Sequence, residues 1–300
     1  MLFAQAESLF LHACERPGNH VRRFFRQPID DVLACLEPIV TVKNPVKVLV
    51  PLFVSLIVNW VIYVPIHELL HAFGCWVTGG TVTRLEIQPH YGGSLLAKVF
   101  PWVVSGSEYA GRLSGFETFG SDLVYLATDF APFVLSVILG VPLLKLCKGR
   151  RRPILFPMGI VLGLAPFYNL PGDYFEMASI ITTRASTPLA RPLNPSAADA
   201  LETPCPENQG SPTAGFRCLR CDDVFKLIGT YCTKPAELHL RKTGEMLAAA
   251  GIILASLAVA LLLAFATYAL GSAFSRLILG SNRRPSLAST APPRRGPPAP

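Results

Sequence analysis

Apolar residues along this chain collect in four long blocks rather than in the narrow stripes of amphipathic surface helices. Residues 48–77 read VLVPLFVSLIVNWVIYVPIHELLHAFGCWV, with Glu68 the only acidic side chain and neither lysine nor arginine. A second block, 123–146, is interrupted by Asp129, and a third, 154–181, by Asp173 and Glu176. The fourth, 246–270, carries no charge at all. Each is long enough for the roughly 20 residues that a membrane-crossing helix needs. The pattern predicts an all-α polytopic membrane protein with about four transmembrane helices, the second and third containing proline.

The intervening segments are more polar. Gly79-Gly80 ends the first block. Residues 81–89 and 95–104 are strand-like, and a turn at 90–93 would join them in a small β-hairpin. The glycine-rich stretch 105–120 reads as a flexible gate. Residues 1–47 form a cytoplasmic or interfacial segment, in which ESLFLHACE and IDDVLACLEPIV each suit a helix at the membrane surface or packed on the rest of the protein. The opening has no basic stretch of the kind that begins a cleavable signal, so the first span is expected to act as the insertion signal. The remaining divisions are an intramembrane core at 48–182, an extramembrane cysteine-containing connector at 183–244, a fourth helix at 245–272 and a disordered basic, proline-rich tail at 273–300.

Composition sharpens this picture. Apolar residues make up 51% of the 300 and charged residues 16%, against about 25% charged in soluble domains. The net charge of +7 is distributed as a membrane topology would have it. Arg16, Arg22, Arg23, Arg26, Lys43 and Lys47 precede the first block. Lys145, Lys148, Arg150, Arg151 and Arg152 follow the second, and Arg276, Arg283, Arg284, Arg294 and Arg295 follow the fourth. With four spans all three groups fall on one side, which predicts both termini in the cytoplasm. The cations are thus assigned to topology and lipid headgroups, not to nucleic acid. A bacterial inner membrane is the expected setting.

Candidate chemistry lies in His67-Glu68-Leu69-Leu70-His71. Residues four apart share a helix face, so both imidazoles can reach one metal ion. Neutral imidazole suits zinc, and the intervening glutamate suits a general base. Ionisable side chains inside hydrocarbon are costly and mark function by default. His67 stands about 28 Å along the helix from the start of the first block, at 1.5 Å per residue, which places the site towards the non-cytoplasmic face. A third ligand is needed. Asp173, where Pro171-Gly172 breaks the third block, is the leading candidate. Glu176 is its substitute, and Asp129, Glu86 and His90 are further donors. Asp173 also fits a helix N-cap. Water must reach such a site, so a polar cavity lined by residues such as Asn59 or Asp129 is expected.

HELLHAFG in a first span and NLPGD in a third resemble the intramembrane zinc metalloproteases of the site-2 protease type. The likeness covers residues 48–182. It implies a three-helix core, His67, His71 and Asp173 as zinc ligands, Glu68 as the catalytic base and Asn169 in substrate positioning. It further implies hydrolysis of a peptide bond in or near a transmembrane segment of a membrane-protein substrate. The family's asparagine and aspartate usually stand further apart, with the aspartate commonly in Leu-Asp-Gly; here the order is Gly172-Asp173-Tyr174. Two other classes fit the same residues: a catalytically inactive relative acting as scaffold or chaperone, and a metal transporter using His67, His71, Asp129 and Asp173 along a path. Cys205, Cys218, Cys221 and Cys232 in the connector suit two disulfides or a small zinc knot.

Overall fold

The structure, a computed structural model, describes residues 17–44, 46–190, 192 and 243–280. The expectations for ESLFLHACE, for the connector cysteines and for the tail beyond Gly280 lie outside these residues; residues 273–280, expected to begin the disordered tail, are instead helical. The chain opens with α1 (Pro17–Val40), which contains the predicted helix IDDVLACLEPIV, and α2 (Val46–Val77), which is the first apolar block. Next come β1 (Thr81–Ile87), a 3₁₀ turn at Pro89–Tyr91, α3 (Gly93–Val99), β2 (Val103–Ser105) and β3 (Gly111–Glu117). The second block is composite: α4 (Asp122–Phe130), a 3₁₀ turn at Ala131–Phe133, a π turn at Ser136–Gly140 and α5 (Val141–Cys147). After it stand α6 (Leu155–Gly163), α7 (Ala165–Tyr168), α8 (Asp173–Ala190) and α9 (Thr243–Gly280).

Among the described residues, three stretches of helix are long and apolar enough to cross a membrane: Val46–Val77, Asp122–Cys147 and Ala250–Gly280. The third apolar block is not a fourth of this kind. Pro166 removes a backbone donor, and Pro171-Gly172 restarts the chain, so this block runs as three shorter helices. Its residues are nonetheless at the heart of the molecule. Tyr174, Met177 and Ala178 of α8 pack with Val161 and Leu162 of α6, Phe133, Tyr63 of α2, and Ala260 and Ala264 of α9. Tyr174 also donates to Thr267 Oγ1 of α9 at 2.7 Å.

The hairpin expected at 81–104 is replaced by a different arrangement. β1 forms as predicted, but residues 93–99, GSLLAKV, are helical. Leucine, alanine and lysine are good helix formers, and Gly92 supplies the left-handed residue (φ 86°) that turns the chain from the 3₁₀ turn into α3. The antiparallel partner of β1 is β3, from the stretch read as a gate, with Thr81 opposite Glu117 and Ile87 opposite Gly111. β2 pairs parallel to β1, giving the order β2-β1-β3. Leu85, Ile87 and Val103 bury the inner face of this sheet against Leu69 of α2. The sheet is held to α2 by the Gly79-Gly80 stop. Gly79 adopts φ 96°; its N–H donates to Trp76 O at 3.1 Å, and Gly80 N–H donates to Cys75 O at 2.8 Å. This pair of bonds satisfies the last carbonyls of the helix and aims the chain back along it.

At the other end of α2, α1 is tied into the bundle by one carboxylate. Asp31 is 1% exposed. Lys145 of α5 donates to Oδ2, Lys148 donates to Oδ1 at 2.8 Å, and Tyr268 of α9 donates to Oδ2 at 2.8 Å. Burial pushes the Asp31 carboxyl up, but the two ammonium groups and the phenol outweigh it and hold the group below its ordinary value. Its stabilising contribution is therefore complete above the unfolded carboxylate value of about 4 and lost as pH falls through the lower folded value. Asp31→Asn should destabilise the detergent-solubilised protein at pH 7 by about 1.5–3 kcal/mol, the range for hydrogen bonds to charged groups. In thermal unfolding, the gap between variant and wild type should close as the pH is taken below about 4.

Candidate metal centre

The HELLH turn lies in the second half of α2, where the helix packs on α4, the turn at Ala131–Phe133 and the sheet. His67 and His71 are both buried, 6% exposed each. Their Nε2 atoms stand 3.1 Å apart. Asp173, the first residue of α8, brings Oδ2 to 3.2 Å from His67 Nε2 and 3.7 Å from His71 Nε2. Tetrahedral bonds of 2.0–2.1 Å separate neighbouring donors by about 3.3 Å, and these three distances bracket that value. Asp173 Oδ2 is buried and accepts no hydrogen bond. Among the described residues, this is the one group of three potential ligands close enough to hold a metal ion. Two imidazoles and a carboxylate form a donor set that suits zinc.

The tautomers that such a centre needs are arranged by the second ring nitrogens. His71 Nδ1 lies 2.8 Å from the Thr128 carbonyl. A carbonyl only accepts, so the ring proton sits on Nδ1 and Nε2 keeps its lone pair. That carbonyl is available because the residue four positions on is Pro132, which has no N–H to close the helical bond. His67 Nδ1 lies 2.7 Å from the Tyr63 hydroxyl, one turn earlier on α2. Asn169 Nδ2 donates to Ala165 O at 3.1 Å and to Tyr63 Oη at 3.5 Å. Asn169 thus reaches the centre through the partner of His67.

A cavity of about 420 Å³ opens beside the triad, and Glu68, Asp129, Asn169 and Glu176 all line it. Gly111, at the start of β3, packs directly on Glu68: a Cβ there would meet Glu68 Cγ at 2.4 Å. The glycine is what lets β3 pass over the carboxylate. Of the other donors considered from sequence, Glu86 is paired outside the triad, with Arg84 Nε at 2.9 Å and Ser114 Oγ at 3.0 Å. His90 rests on the Tyr91 ring. Glu176 accepts from Tyr125 Oη at 2.9 Å. Asp173 does not act as an N-cap; it is the first helical residue, and the Gly172 carbonyl already accepts from Glu176 N–H at 3.0 Å. Asn59 is not in the cavity wall. Its amide turns back to Ser55 O at 2.7 Å.

No protein-family model, curated protein or solved structure matches this chain. What the site can do is carried by its own residues. Tyr63 and Thr128 escaped the sequence reading. Tyr63 had a usable signal, a hydroxyl one helical turn before the first histidine. Thr128 had a fainter one, a polar residue four before a proline in an apolar helix.

Full-length protein purified in detergent should hold about one zinc per chain, lost in His67→Ala and in Asp173→Ala by metal analysis. Tyr63→Phe should keep the metal but weaken its affinity about 10–100-fold, measured by chelator competition.

Proposed function

We propose that this chain is a multi-pass membrane zinc endopeptidase resembling the site-2 proteases, which hydrolyses a peptide bond in or near a transmembrane segment of a membrane protein. The observation that carries the reading is the convergence of His67, His71 and Asp173 beside Glu68 in one cavity. A zinc ion bound there supplies Lewis acidity and lowers the pKa of water towards neutrality. Glu68 is the proton carrier: its carboxylate takes a proton from the attacking water and delivers it to the departing amine. Tyr63 and the Thr128 carbonyl keep both rings turned so that Nε2 faces Asp173.

The sheet supports a polypeptide substrate. A transmembrane helix protects its own peptide bonds, so the segment to be cut must be unwound, and an unwound segment needs backbone partners. Among the described residues β3 has no strand beyond it in the order β2-β1-β3, and its residues from Gly111 to Ser114 line the cavity. An extended chain added along β3 would run past Glu68. Transport fits less well, because among the described residues the close metal donors form one group rather than a series along a path. The membrane setting is supported by the apolar faces that α2 and α9 leave uncovered, among them Phe53, Ile57, Leu254 and Leu262. The pairing of Asp31 with Lys145 and Lys148 brings the cation groups before α2 and after α5 to one end. This supports a cytoplasmic N terminus.

Glu68→Gln should leave the zinc content unchanged and lower cleavage of a co-expressed membrane substrate by about 10²–10⁴-fold, scored by the appearance of a truncated product. Equal cleavage by variant and wild type would sink the endopeptidase reading. Undiminished association with a membrane partner, without any cleavage by wild type, would point to an inactive scaffold.

A further inference from the structure

Among the described residues, six buried side-chain oxygens have no hydrogen-bond partner. Four are hydroxyls, of Ser136, Thr182, Ser256 and Ser272; the other two are the carboxylate oxygens Asp173 Oδ2 and Asp129 Oδ2. A buried carboxylate oxygen without a donor is far more costly than a hydroxyl. Both of these carboxylates line the same cavity. Asp173 Oδ2 is accounted for by the two imidazoles it faces. Asp129, at 6% exposure, stands outside that ligand group and is left unexplained by the endopeptidase reading.

The surroundings of Asp129 say what it lacks. Glu176, across the cavity wall on α8, is already held by Tyr125 Oη at 2.9 Å. The wall as a whole carries four carboxyl groups, Glu68, Asp129, Asp173 and Glu176, against one guanidinium, that of Arg112. A second metal ion is not indicated, because Asp129 belongs to no close group of three donors. Tyr125, one helical turn before Asp129, packs edge-on against Phe116 with centroids 5.4 Å apart, and both rings line the cavity. Aromatic walls beside a carboxylate oxygen that accepts no hydrogen bond suit a long side chain with an apolar stem and a cationic head.

We propose that Asp129 is a specificity-determining residue, whose Oδ2 receives an N–H of a lysine or arginine side chain of the polypeptide bound in this cavity. The proposal rests on the endopeptidase reading and names its substrate class: a membrane segment bearing a basic residue close to the bond that is cut. Such a residue is unusual inside an apolar helix, where its insertion is itself unfavourable. Asp129 thus discriminates against the many wholly apolar spans of a membrane.

The test uses zinc-loaded full-length protein in detergent and three peptide hydroxamates as probes. They are identical except for one residue, lysine, norleucine or glutamate, placed in turn at each of the positions flanking the hydroxamate. Competition by fluorescence anisotropy reads affinity without any requirement for turnover, and zinc content is measured on the same samples. The lysine probe should bind at least about tenfold more tightly than norleucine at one position, with glutamate weakest. Asp129→Leu should bring lysine and norleucine within about twofold at unchanged zinc content. Asp129→Asn, which preserves shape should the leucine variant fail to fold, should lose most of the preference. Equal binding of the three probes to wild type, or a lysine preference that survives both substitutions, would overturn the subsite while the metal centre stood. Wild type without zinc and without hydroxamate binding would overturn the endopeptidase reading and the subsite together.

Discussion

Polar groups inside an apolar bundle have to find partners within it, and the candidate centre is where this constraint bears hardest. Two imidazoles and four carboxyl groups share one cavity, where an unpaired member would cost several kcal/mol. The partners come from places where the regular helix has been interrupted. Pro132 frees the Thr128 carbonyl that orients His71. The Pro171-Gly172 break lets α8 start with Asp173 aimed at both rings. The π turn at Ser136–Gly140 keeps the second block continuous after the 3₁₀ turn. The first two interruptions each weaken a helix locally and leave a group free for the site.

A second consequence concerns the division of the molecule into ends. Near Asp31 the bundle is closed by charge: one buried carboxylate ties α1, α5 and α9 together. Near Gly79-Gly80 it is closed by the sheet, which packs on α2 through Leu85, Ile87 and Leu69. The centre lies between the two, adjoining the sheet, with Gly111 of β3 touching Glu68. The HELLH turn and β3 are therefore adjacent because a single helix stop turns the chain back over that turn.

Much of this was legible beforehand. The apolar blocks at 48–77 and 246–270 became helices, the first of nearly the expected extent and the second running on to Gly280, because length and hydropathy leave a run of that kind few alternatives. His67 and His71 share a face by helical periodicity alone, and Asp173 was recognisable as a carboxylate at a Pro-Gly break in an apolar block. The hairpin was not legible. Residues 95–104 alternate well enough for a strand, and what made 93–99 helical was the left-handed turn at Gly92. β1 instead found its antiparallel partner in β3, a strand whose glycines suggested a loop.

The sequence by itself thus determined which segments are apolar, where α2 stops, and which of its turns carries side chains able to hold a metal ion. These are local properties, set by periodicity, proline and glycine. Only the tertiary structure decided that Asp173 Oδ2 falls within 3.7 Å of both imidazoles, that Thr128 and Tyr63 hold the rings, and that Asp129 Oδ2 is left without a donor. Those outcomes depend on how separate helices are placed against one another. That placement is fixed by side-chain packing and by the need to pair buried polar atoms across elements, which no single stretch of the chain encodes.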